Sequence, residues 1–118
     1  MEYTPEDLID KMTIIRLKLE ESDSPELKKE YAEYEEAIAD FESRGLKMER
    51  NWIEELYKSN KEQWDVMVEI SNVKEKTNDL IEIGKLFIKA EELNKERNAI
   101  KKKIVDETKI GFKEIEMN

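Results

Sequence analysis

Four stretches of this 118-residue chain repeat apolar side chains at three- and four-residue steps, and only short polar breaks separate them. That spacing gathers carbon on one face of an α-helix, whereas a half-buried strand would need strict alternation. Composition agrees: 3 Gly, 2 Pro and 43% charged residues leave too few turn formers for a sheet protein, and Glu, Lys, Leu and Ile all suit helices. The expected fold is therefore all-α. It is one domain spanning 1–118, a four-helix bundle of two antiparallel hairpins with two short helices, two long ones and a short extended tail.

Local signals set the boundaries at about 5–21, 25–44, 47–76 and 79–107, with the tail at 109–118. The first helix starts behind Thr4, with Pro5 at its first position and Asp7 completing a capping-box-like pattern; Leu8, Met12, Ile15 and Leu19 share a face. Ser22–Asp23–Ser24–Pro25 ends it and caps the next, whose seam is Leu27, Tyr31, Tyr34, Ile38 and Phe41. The two tyrosines are expected in the core with their hydroxyls at its rim. Arg44–Gly45 closes that helix with a left-handed residue. The third carries two apolar rows, Trp52, Leu56, Val66, Ile70 and Val73 beside Ile53, Tyr57, Trp64 and Met67, so it should touch more than one neighbour. After Thr108 the helical spacing fades, and the extended tail could pack on the bundle, pair with a second subunit or stay loose.

The fourth helix has two candidate seams. One runs Leu80, Ile83, Phe87, Ala90 and then through Asn94, Arg97 and Lys101 to Ile104; the other runs Leu86, Ala90, Leu93, Arg97, Ile100 and Ile104. Arg97 falls inside both. A polar residue on a packed face needs hydrogen-bonded or charged partners, so this set is the leading candidate for a site. With Asp10 on the first helix and Asn60 on the third, Asn94, Arg97 and Lys101 would form a polar pocket able to clamp a phosphate or carboxylate. The same residues would equally form an internal network that fixes helix register and binds nothing.

Other chemistries are restricted. The chain has no cysteine and no histidine, which removes disulfides, thiolate nucleophiles, cysteine–histidine zinc sites and the usual proton shuttle near neutral pH. A net charge of −9 opposes nucleic-acid binding. The charge is uneven: residues 1–59 hold 17 acidic and 9 basic side chains, residues 60–118 hold 13 and 12, so the halves could attract each other. Lys101–Lys102–Lys103 reads either as cations near a helix C-terminus or as a phosphate-binding patch. No apolar run approaches the ~20 residues that cross a bilayer, and no signal-peptide pattern opens the chain, so a cytoplasmic protein without a membrane partner is expected. One enzymatic alternative uses Glu33 and Glu36 with Glu62 and Asp65 as acidic pairs holding magnesium, in the manner of helical nucleotide pyrophosphohydrolases.

Three segments, Ile9–Asp10–Lys11–Met12–Thr13–Ile14, Asn60 with Trp64, and Asn94–Lys95–Glu96–Arg97–Asn98–Ala99–Ile100–Lys101, together resemble a family of small, mostly helical bacterial and phage proteins of unknown function, sometimes found beside or fused to sugar-transfer proteins. The match covers most of the chain in order. Lys95 stands where that pattern has Asp, Asn98 where it has Ala, and the family's C-terminal ending is absent. The resemblance implies a helical fold and no particular reaction. The expectation is a non-catalytic binding or assembly module without a cofactor, self-associating or docking on a protein partner.

Overall fold

The structure, a computed structural model, describes residues 4–76 and 79–117, with side-chain surroundings up to residue 109. It is all-α, with helices α1 (Pro5–Glu21), α2 (Pro25–Ser43), α3 (Arg50–Lys76) and α4 (Leu80–Met117), and no strand among the described residues. Local chemistry explains the boundaries. Pro5 and Pro25 open their helices, where a missing N–H costs nothing, and Ser24 Oγ accepts the Leu27 N–H at 3.4 Å. Thr4 makes no side-chain cap bond to the backbone, so the expected capping box does not form.

At the end of α2, Gly45 takes φ 92°, which a Cβ would disfavour. The turn closes with Gly45 N–H on the Glu42 carbonyl at 3.0 Å and Leu46 N–H on the Phe41 carbonyl at 3.1 Å, a Schellman motif. This drops Leu46 into the core beside Phe41, and Met48 follows. Those two anchors hold 46–49 out of helix, so α3 begins at Arg50, three residues later than its periodicity suggests.

The long helices α3 and α4 pair as an antiparallel hairpin: Glu55 meets Lys103, Gln63 meets Asn94, and Lys74 lies over Phe87. Helix α1 packs against both of them and against α2, while the backbone of α2 comes close to α1 alone. Its central position explains why α1 is buried on nearly every side, at Leu8, Ile9, Met12, Thr13, Ile15 and Leu17, rather than along a single stripe. The main core joins Leu8, Ile9, Met12 and Ile15 to Tyr34, Ile38 and Phe41 of α2, Trp52 and Leu56 of α3, and Ile104 of α4. Tyr34 is buried with its hydroxyl donating to Glu30 at 2.9 Å, and Tyr31 is half-buried, as the seam of α2 implies.

A second, thinner core of Val66, Ile70 and Leu93, flanked by Leu86 and Ala90, holds the distal half of the hairpin. Only α3 and α4 contribute to it. The molecule is consequently elongated, 60 Å in its longest direction, with α1 and α2 gathered at one end of the hairpin.

Two expectations about the chain's end are corrected. The segment expected to be an extended tail is the helical continuation of α4 to Met117, since lengthening a formed helix fixes one residue per added hydrogen bond and needs no new nucleus. Lys101–Lys103 therefore lie in mid-helix, away from any C-terminal dipole charge, and Lys101 and Lys103 pair with Asp7 and Glu55 at 3.2 and 3.6 Å. Among the described residues no helix is long and apolar enough to cross a membrane.

Candidate functional site

Where α1 crosses the base of the hairpin, one carboxylate gathers a side chain from each of the other two elements. Asp10 faces inward from α1, its side chain 7% exposed. Arg97 of α4 approaches it edge-on, Nε donating to Oδ1 at 3.0 Å and Nη2 to Oδ2. Asn60 of α3 spends both amide hydrogens on α1: Nδ2 donates to Asp10 Oδ1 at 3.0 Å and to Thr13 Oγ at 2.8 Å. Thr13, fully buried, passes its own hydroxyl proton to the Asp10 backbone carbonyl at 2.7 Å. Lys101, one turn beyond Arg97, donates to Asp7 Oδ1 at 3.2 Å and stands 3.9 Å from Asp10 Oδ2.

The electrostatics follow from the packing. Burial works to raise the Asp10 carboxyl, and the hydrogen bonds from Arg97 and Asn60, with the charges of Arg97 and Lys101, outweigh it and hold its pKa below the usual value. Asp7 is likewise lowered: its slight burial works upward, against bonds from Lys101 and Thr4 and the charge of Lys11. The Arg97 guanidinium is raised chiefly by its bonds to Asp10. Two carboxylates thus face two cations. The cluster is internally neutral, with every donor of Asn60 committed.

Of the five residues singled out in the sequence, four meet here: Asp10, Asn60, Arg97 and Lys101. Asn94 does not. It is exposed, and its carbonyl accepts from Gln63 at 3.5 Å rather than joining Asp10. The reason is the register of α4: the seam with Leu86, Ala90, Leu93, Ile100 and Ile104 is the buried one, and the seam through Leu80 and Phe87 faces out. Asp7 and Thr13 complete the network without having been singled out. Their signal was complementary spacing, since Asp7 and Asp10 lie three apart on one helix face and Arg97 and Lys101 four apart on another.

The magnesium alternative is not assembled. Glu33 and Glu36 are exposed on α2, whose backbone approaches neither α3 nor α4, while Glu62 and Asp65 are exposed on α3. Among the described residues no three acidic side chains are grouped to hold a metal ion.

Beside the network opens a groove of about 530 Å³. Asn60 and Arg97 form its polar end, Ile14 and Leu17 of α1 one wall, and Trp64, Met67 and Ala90 of the hairpin its floor. It continues into the distal half of the hairpin, where large apolar side chains stand in water: Met67 is 50% exposed, Val68 48%, Leu80 80%, Ile81 73%, Phe87 45% and Ile88 60%. Protein-family models, curated proteins and solved structures include no match to this chain.

Proposed function

We propose that this chain is a non-catalytic, cytoplasmic assembly module, whose distal hairpin is the docking surface and whose Asp10-centred network locks α1 onto the hairpin base. The observation that carries this reading is the concentration of exposed apolar side chains on the distal half of α3 and α4. Isolated exposed leucines are ordinary on a protein surface, but six large apolar side chains exposed together at one end of a fold mark surface that another protein covers. The chemistry of the polar cluster supports the same choice over capture of a phosphate or carboxylate. Arg97 and Lys101 already face Asp10 and Asp7, so an incoming anion would have to displace a carboxylate that is anchored in the chain.

A photo-activatable side chain placed at position 67, irradiated in cells that produce the protein, tests this. The expected result is protein-sized adducts at 67 that a probe at the exposed Glu33 does not give. Equal adduct patterns at the two positions would remove the assembly reading.

A further inference from the structure

The hairpin face covered by α1 at its base has no cover from the other described helices beyond Ile14 and Leu17, although its chemistry stays apolar. Trp64 and Met67 on α3, with Phe87 and Ala90 on α4, carry the strip outward for roughly 20 Å, taking ~1.5 Å per residue over the last turns of α3. Beneath it lies a core of only three buried residues, Val66, Ile70 and Leu93. Two helices cannot bury both sides of their contact, and a layer of helices on the open face is the ordinary solution.

We propose that a second copy of this chain supplies that layer: two hairpin tips pack face to face about a two-fold axis, making a four-helix bundle from the distal halves of two α3–α4 pairs. The proposal rests on the assembly reading above and names its partner. Three observations select a second copy. First, the strip is compatible with itself: its central polar members Gln63 and Ser71 are uncharged, while its cations stand toward the ends, Arg97 at the base and bound to Asp10, and Lys74 over Phe87 near the tip. Second, the charge of the chain is polarised. Residues 1–59 hold 17 acidic against 9 basic side chains, whereas residues 60–118 are almost balanced at 13 against 12. Because α1 and α2 sit at the opposite end of the hairpin, tip-to-tip packing keeps the two acidic ends apart, where packing through α1 and α2 would press them together. Third, the area is of the right order. Met67, Val68, Leu80 and Phe87, on the strip's side of the two helices, at roughly 200 Å² each when fully bare leave on the order of 450 Å² uncovered, more than half of the ~800 Å² per partner of a standard interface before their neighbours are counted.

Sedimentation equilibrium of the full chain over a concentration series decides the matter, read together with the photo-adducts at position 67. The expected result is a reversible rise from the 14.1 kDa of one chain to twice that mass. Met67→Glu and, separately, Phe87→Glu should weaken this self-association at least about tenfold, the scale of a central interface contact. Both side chains are about half exposed, so far-ultraviolet circular dichroism of each variant at low concentration should keep the helical signal of the parent. A dimer indifferent to both substitutions places the contact elsewhere and overturns the proposal. A monomer at every concentration, with adducts at 67 to a different protein, overturns the second copy and leaves the assembly reading standing. A monomer with no adducts removes both.

Discussion

Asp10 and Arg97, separated by 87 positions in the sequence, meet with the guanidinium edge against the carboxylate, Nε to Oδ1 at 3.0 Å and Nη2 to Oδ2. The two partners are unequally wet: the Asp10 side chain is 7% exposed and that of Arg97 25%. Breaking the pair from either side therefore has different consequences, because the residue left behind is buried in one case and can turn to solvent in the other.

Replacing Arg97 by Met strands the Asp10 carboxylate with Asn60 and a Lys101 that is 3.9 Å away, and should cost about 3–5 kcal/mol in urea unfolding, the range for removing one partner of a buried ion pair. Asp10→Asn should cost less, since an amide still accepts from Asn60 and Arg97 can reach water. The double substitution should be less destabilising than the two single losses added together, because it strands no charge. A double variant as unstable as that sum would show that the two side chains do not act as a pair.

Acid should weaken the same contact. The Asp10 carboxyl lies below its usual value in the folded chain, so ionised Asp10 favours folding. That contribution is complete above the unfolded carboxyl value of about 3.9 and is lost as pH falls through the lower folded value. Thermal melts from pH 7 down to pH 2.5 should show a falling Tm whose slope is shallower in Asp10→Asn. Equal slopes would mean that other carboxylates carry the acid sensitivity.

Ser59 on α3 is buried with no hydrogen-bond partner for its hydroxyl among the described residues. Ser59→Ala removes that orphaned group and adds helix propensity, so it should raise stability by about 0.5–1 kcal/mol. A loss of stability on this substitution would mean that the hydroxyl has a partner in solution.

Two glycines should respond in opposite directions to alanine. At Gly45, with φ 92°, the added Cβ meets the left-handed backbone, and Gly45→Ala should destabilise by about 1 kcal/mol. At Gly84, inside α4, a Cβ would have nothing within 4 Å, and Gly84→Ala should stabilise by up to about 1 kcal/mol through helix propensity. Guanidinium unfolding midpoints of the two variants check both signs.

Much of the helical skeleton was legible residue by residue. The Ser24–Pro25 start and the Arg44–Gly45 stop depend on neighbours within a few positions, so sequence specifies them directly. The site was legible in part: Asp10, Asn60, Arg97 and Lys101 were marked as polar groups at positions where helices pack. Asn94 was misplaced because both α4 registers fit a helical period, and periodicity alone does not say which face a neighbour covers.

The sequence by itself determined helix content, the short connections and the absence of thiol and imidazole chemistry, since these follow from local propensity, capping and residue inventory. Tertiary structure decided the rest. It set α1 at the centre, chose the buried seam of α4 and brought Thr13 and Asp7 into the network. It also left the distal hairpin without a covering helix among the described residues. Each of these depends on which surfaces meet across tens of residues, and burial, unlike helix propensity, is a property of the pair of surfaces and not of either one alone.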